Sequence, residues 1–430
     1  MPTMTDVQRA AAGSLLATFL LQGSLVVSGV AAARLLGPEL RGYLALLVLL
    51  PSVLARIGGL GIPLALPFFV ARDPASAGAV ARMILPTAVL QTAVLVGLQA
   101  VALTRFTLGR PHEIQIAAIL TLFAVPTLLT LDYTIGLLQG QQRFGAFNVL
   151  RGLPACLYAL GVFALLILRA GSLFNVTLVL TLSGLVVAPI SLFVCLRGLP
   201  SIRRPRYVPS RSEVVRFGLR GLLGSVSPIE TFRLDQAIVG LLLSPAALGL
   251  YVVALAFTNL PRFVSQSLGF VAYPHIAAKA EGPREWAALR TFFVWSMILT
   301  IPVVVALAAA ADFLVPLFFG NGFQAAIPIV RILLIGSLFL AARRLLTDGS
   351  RGFGYPGAGT VAEVASWIWL IPSVLLLAGP FGLQGIAASF AGASAFSLVV
   401  LIFILLIKRS SPVERQEWPS ASDVPAAILQ

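Results

Sequence analysis

Charged side chains are rare enough in this chain to be read one at a time. The most telling are two arginines, Arg56 and Arg262, each near the middle of a long apolar stretch. A guanidinium at bilayer depth costs roughly 2.5–3.5 kcal/mol on insertion scales, so it faces protein or a water-filled cavity and marks a functional site. The chemistry it offers is anion binding, through planar, bidentate donors matched to phosphate oxygens. Each lies some thirteen residues from either end of its stretch. That is roughly 20 Å of helix, too far for easy snorkelling to a headgroup. Four more arginines fall inside apolar stretches: Arg151, Arg220, Arg233 and Arg331. Arg151 and Arg220 sit within about a turn of an inner end and can reach headgroups, whereas Arg331 is nearer an outer end. Glu230, Arg233 and Asp235 share one stretch. Glu230 and Arg233, spaced i,i+3, can neutralise each other on one helix face; alternatively Glu230 or Asp235 is a protonatable, cation-coupling carboxylate. Asp132 and Glu363 lie toward inner ends, within reach of basic loops.

Metal and disulfide chemistry find little material. The two cysteines, Cys156 and Cys195, sit in apolar spans, and His112 and His275 are the only histidines. That is too few ligands for a His/Cys metal centre, and no cofactor is expected.

The elements that must position these charges are membrane helices. The 430 residues are 58% hydrophobic and 11% charged, against about 25% charge in soluble domains. Runs of about 20 apolar residues, each long enough to cross a bilayer, predict twelve spans at 11–35, 43–70, 84–104, 114–138, 147–168, 174–196, 217–243, 248–273, 291–311, 325–346, 360–379 and 383–407. The apolar run before Ala31, Ala32 and Ala33 is nearer a full span than a short signal-peptide core and reads as a retained first helix.

The net charge of +14 does not point to nucleic acid, because the arginines cluster in alternate loops without aromatic interleaving. With the N-terminus inside, inner segments hold 19 basic residues and outer loops five, Arg34, Arg41, Arg105, Arg110 and Arg169. This positive-inside bias places both termini in the cytoplasm. Residues 197–216, rich in Arg, Pro and Ser, form a basic cytoplasmic linker near anionic headgroups, and 408–430 form a polar tail. The glycine-rich stretch from Gly349 to Gly359 lacks a phosphate-loop ending and reads as a flexible inner turn. Gly218, Gly221 and Gly224 permit close helix packing.

The two halves repeat. Leu36-Gly37-Pro38-Glu39-Leu40-Arg41-Gly42 and Leu243-Ser244-Pro245-Ala246-Ala247-Leu248-Gly249 share L-x-P-x-x-x-G at an offset of 207. Pro67 matches Pro274, and Arg72 corresponds to Lys279, at the same offset; Gly140, Phe144 and Gly145 match Gly349, Phe353 and Gly354 at 209. Six spans per copy predict parallel repeats, a lobe at 1–196 and a lobe at 217–407, with substrate held between them around a central cavity. Arg56 and Arg262 are not strict mates: at the 207 offset Arg56 faces Phe263, a rotation of about 100° from Arg262.

Three segments carry a family resemblance: "ARLLGPELRGYLALL" from Ala33, "GLLQGQQRFGAFNVLRG" from Gly136 and "FRLDQAIVGLLLSPAALGLYVVA" from Phe232. With the twelve-span pattern, they make the chain similar to the polysaccharide (oligosaccharide) flippases of the multidrug/oligosaccharidyl-lipid/polysaccharide (MOP) exporter superfamily. The resemblance implies two six-helix lobes around a cavity, and a transporter rather than an enzyme. The cargo it implies is an undecaprenyl-pyrophosphate-linked oligosaccharide moved across the bacterial inner membrane. The related lipid II flippases use cavity arginines on the second and eighth helices, the helices that carry Arg56 and Arg262 here. The expected partners are the lipid-linked oligosaccharide, membrane lipids and a coupling ion, H+ or Na+. The rivals are a cation-coupled drug or small-molecule exporter using Asp235 or Glu230, and a membrane glycosyltransferase, ligase or acyltransferase using Glu113 and His112.

Overall fold

The computed structural model describes residues 4–198, 207–224, 233–265, 283–352, 355 and 357–410. Among these the chain is helical, with short turns and no strand. The first half runs α1 (Met4–Gly58), α2 (Ile62–Arg72), α3 (Ala77–Thr107), α4 (His112–Thr121), α5 (Ala124–Gly140), α6 (Phe144–Ile167) and α7 (Leu173–Arg197). The second half runs α8 (Arg211–Gly224), α9 (Leu234–Leu242), α10 (Pro245–Phe257), α11 (Pro283–Ala309), α12 (Ala311–Phe319), α13 (Ile327–Gly352) and α14 (Gly357–Ser410).

Nine stretches among the described residues are long and apolar enough to cross a membrane. Two of them are double. α1 bends at Gly37 (φ 69°), and α14 bends at Gly382 (φ 52°), positive values that glycine adopts without steric cost. Each bend divides a pair of expected spans. The expected seventh span, 217–243, appears as α8 and α9, with 225–232 outside the described residues. This is a multi-pass membrane protein. Its outward side chains match lipid: Leu85, Val89, Leu90 and Leu98 of α3 are all more than half exposed. Inside, short polar groups join helices. Gln99 Nε2 donates to the Thr121 carbonyl at 2.8 Å, and Thr134 Oγ1 donates to Ser191 Oγ at 2.9 Å, as expected where lipid cannot satisfy polar atoms.

The chain forms two compact units. One comprises Met1–Ala256 with Ala310–Val330, the other Phe257–Ala309 with Arg331–Gln430.

Several loop expectations need correction. Arg41 is no loop residue but lies within α1, and Arg343 lies within α13 at 8% exposure. Much of the glycine-rich stretch after Gly349 is ordered: α13 continues to Gly352, α14 starts at Gly357, and the Tyr355 amide donates to the Ser350 carbonyl at 2.8 Å. Glu113 is committed to structure, its Oε1 accepting the Leu173 amide at 2.7 Å at the start of α7.

The described end of the linker is held by a capping box that closes α8. The Ser210 amide donates to Glu213 Oε2 at 2.7 Å, the Glu213 amide donates to Ser210 Oγ at 3.3 Å, and the Tyr207 hydroxyl donates to Glu213 Oε2 at 2.9 Å. Bonds from the Ser210 amide first, then from the Tyr207 and Ser210 hydroxyls, hold the Glu213 carboxyl below its ordinary range. A depressed carboxyl stabilises the fold above its unfolded value of about 4.3 and loses that contribution as pH falls through the folded one. Amide exchange at Ser210 and Glu213 is therefore expected to accelerate below about pH 4, and Glu213→Ala should bring the same acceleration at neutral pH. Flat exchange in both experiments would show that the box does not hold the linker.

Candidate functional site

The second expected span is broken where Arg56 sits. α1 ends at Gly58, with Arg56 in its last turn, and α2 begins at Ile62. Between them Leu60 (φ 52°) and Gly61 (φ 67°) are left-handed. Two glycines, a left-handed turn and Pro63 at the start of α2 explain the interruption, since proline supplies no amide at a first-turn position. The break is braced from two sides. A Cβ on Gly61 would fall on the Gly218 carbonyl of α8, and one on Gly136 of α5 would lie 2.9 Å from the Pro63 carbonyl oxygen. Only glycine permits backbones to approach so closely, so Gly218 fulfils the packing role expected of it.

A broken span presents two helix ends within the expected span 43–70. The carbonyl end of α1 carries partial negative charge, which a cation in the last turn complements, and the amide end of α2 carries partial positive charge. Arg56 and Asp132 are both exposed on the first unit, and Asp132 of α5 lies within electrostatic reach of Arg56. One turn past Asp132, Gly136 fixes α5 against the break. No hydrogen bond or ion pair ties Arg56 to another described residue. An exposed guanidinium next to discontinuous helix ends can accept an anion from a water-filled path.

The seventh-span charges are reorganised. Arg233 is not helical: it has left-handed backbone (φ 48°, ψ 43°), is exposed, and caps α9. The i,i+3 face expected for Glu230 and Arg233 is therefore interrupted at Arg233, and Glu230 itself lies outside the described residues. Asp235 is 3% exposed and accepts from the Tyr251 hydroxyl at 3.4 Å. Arg41, from α1, lies within electrostatic reach of Arg233 and of Tyr158.

In the second unit, Arg262 is half-buried in a helical segment at 259–265, its carbonyl accepting from Ser265 Oγ at 3.0 Å. Arg331 Nε donates to the Ala308 carbonyl at 3.2 Å. Glu363 forms an ion pair with Arg343, whose Nη1 also lies 3.4 Å from Ser397 Oγ. Arg151 stacks on Phe147 at 5.8 Å and is exposed, as suits a residue near headgroups. Among the described residues no group of three or more His, Cys, Asp or Glu side chains is placed to hold a metal ion. The helix break, the capping role of Glu113 and the identity of the Glu363 partner, Arg343, were not read from the sequence. Gly58-Gly59-Leu60-Gly61-Ile62-Pro63 was a local signal for the first, but nothing local pointed to the others.

Residues 31–328 match the family model described as polysaccharide biosynthesis protein. A probable low-salt glycan biosynthesis flippase, Agl15 of Haloferax volcanii, is 25% identical over 205 residues, spanning 46% of this chain and 43% of that protein. The lipid II flippase MurJ in its inward closed conformation is similar with a TM-score of 0.66 at 15% identity, covering 92% of this chain and 88% of that one. An inward-facing multidrug resistance MATE family transporter of the MOP superfamily is similar with a TM-score of 0.65 at 16% identity, covering 93% and 94%. At such identities the two structures share the fold.

Proposed function

The chain belongs to the family of polysaccharide biosynthesis proteins, and from that premise we propose that it is a flippase for a lipid-linked oligosaccharide of the undecaprenyl-pyrophosphate type. The observation that carries this reading is Arg56, an exposed guanidinium in the last turn of α1 beside a helix break. A pyrophosphate crossing a low-dielectric region needs positive charge and bidentate donors, and the amide end of α2 adds a favourable partial charge. Arg262 and Arg233 are proposed as further cations for the cargo.

The head group crosses while the lipid tail stays in the bilayer, by alternating access of the six-span copies at 1–196 and 217–407. The sequence repeat supports that division. The excess of basic residues in the inner segments over the outer loops supports cytoplasmic termini in a bacterial inner membrane. The partial similarity to a probable glycan biosynthesis flippase supports a glycan cargo. Asp235, buried against the Tyr251 hydroxyl, is the proposed coupling carboxylate for H+ or Na+.

Likeness to a multidrug transporter is likeness of fold and does not choose the cargo. Purified full-length protein in liposomes is expected to expose a pyrophosphate-linked oligosaccharide to an added glycosidase faster than empty liposomes do. Transport of a lipophilic cation with no movement of the glycolipid would overturn the reading in favour of a drug exporter.

A further inference from the structure

One corner of the first unit gathers cations that the cargo path does not use. Arg82 of α3 is exposed, and no hydrogen bond or ion pair ties it to another described residue. Arg211, the first residue of α8, is exposed too and donates Nη2 to the Met83 carbonyl at 3.3 Å. That bond sets its guanidinium beside the turn that carries Arg82. The nearby carboxylates are engaged with backbone amides. Asp73 accepts from the Ala75 amide at 3.1 Å and from the Tyr207 amide at 3.5 Å, and Glu213 serves the capping box of α8. Arg216 lies within electrostatic reach of Glu213 and is partly balanced by it. Arg82 and Arg211 therefore share a corner that holds more positive than negative charge.

The face of α3 that carries Arg82 continues as apolar surface. Leu85 and Val89 follow Arg82 at i+3 and i+7, on one helical stripe, and both are more than half exposed. On the positive-inside assignment Arg82 stands at the headgroup level of the inner leaflet, which carries anionic lipid. Two guanidiniums at one corner repel each other unless an anion bridges them, and phosphate oxygens accept planar donors in pairs. The cations match a phosphate headgroup, and the stripe beneath them matches its acyl chain.

The helix α8 links this corner to the break in the second span. Less than two turns beyond Arg211, Phe217 stacks on Phe68 of α2, with ring centroids 4.3 Å apart, and meets Phe69 edge-on at 5.5 Å. The next residue is Gly218, whose carbonyl braces Gly61. We propose that Arg82 and Arg211, with Leu85 and Val89, form a binding site for an anionic glycerophospholipid of the inner leaflet, whose headgroup bridges α3 to α8 and steadies the brace on the broken span.

The site does not depend on what the protein carries, so it and the flippase reading can fail separately. Full-length protein is placed in phosphatidylcholine vesicles with increasing phosphatidylglycerol, and amide exchange is followed across 211–219. Phosphatidylglycerol is expected to slow exchange there. Each arginine near an anionic surface contributes about fivefold to lipid affinity. Half-maximal slowing in Arg82→Gln should therefore need about fivefold more phosphatidylglycerol. Arg82→Gln breaks no described bond, so its exchange in phosphatidylcholine alone should match the parent, which separates lipid binding from the fold. Arg211→Gln also loses the Met83 tie and should exchange faster in both kinds of vesicle. Arg151→Gln, which removes an exposed cation elsewhere, should keep the full response. Equal exchange of the parent with and without phosphatidylglycerol would overturn the proposal, as would an unshifted response in Arg82→Gln. So would slowing by undecaprenyl pyrophosphate but not by phosphatidylglycerol, which would give the corner to the cargo.

Discussion

Arg56→Ala is expected to reduce glycolipid export by about two orders of magnitude while protein in the membrane stays near normal. Hydrogen bonds to charged groups contribute about 1.5–3 kcal/mol each, and a guanidinium places two on one phosphate. The loss should fall on transport because Arg56 is exposed and no hydrogen bond or ion pair ties it to another described residue, and Asp132, within its electrostatic reach, is exposed too. Arg56→Lys keeps the charge but not the planar fork and should fall between. Arg262→Ala is expected to act in the same direction. Arg151→Ala, which removes an exposed cation stacked on Phe147, serves as the control and should export normally. Normal export in the Arg56→Ala, Arg262→Ala double variant would remove both residues from the cargo path.

The second large effect concerns stability. Arg343 and Glu363 pair inside the second unit, both nearly buried. Breaking such a pair from one side leaves an uncompensated charge, at a cost of about 3–5 kcal/mol. Arg343→Ala or Glu363→Ala should each lower the thermal midpoint in detergent and deplete folded protein. Replacing both partners with apolar side chains, Arg343→Met with Glu363→Leu, should recover most of the midpoint, since well-packed apolar groups often match a buried pair. If the double variant is folded and still transports, the pair is structural. Single variants that melt like the parent would show that the two charges do not depend on each other.

These two predictions draw on the sequence to different degrees. That Arg56 falls inside a long apolar stretch was legible because hydrophobic span length is a one-dimensional signal. Its setting was only half legible: the run of glycines with Pro63 announced a weak point, but the brace from Gly218 is a contact between distant segments. For Glu363, pairing with a nearby basic residue was the expectation. The partner proved to be Arg343, buried within α13. The spacing of Glu230 and Arg233 suggested one helix face, yet Arg233 adopts left-handed backbone, which no side-chain periodicity reveals.

Sequence alone determined the class of the protein, its multi-pass helical character and the family, because each is written along the chain as apolar length, charge bias or shared motif. Tertiary structure alone decided how those parts are used. It set where α1 and α14 bend, which face Arg56 presents, that Glu113 caps α7, and that the two L-x-P-x-x-x-G motifs close on each other. The reason is geometric. A motif fixes what a helix surface offers, but helix rotation and the choice of neighbour decide what meets it, and both depend on packing between residues as far apart as Gly42 and Pro245.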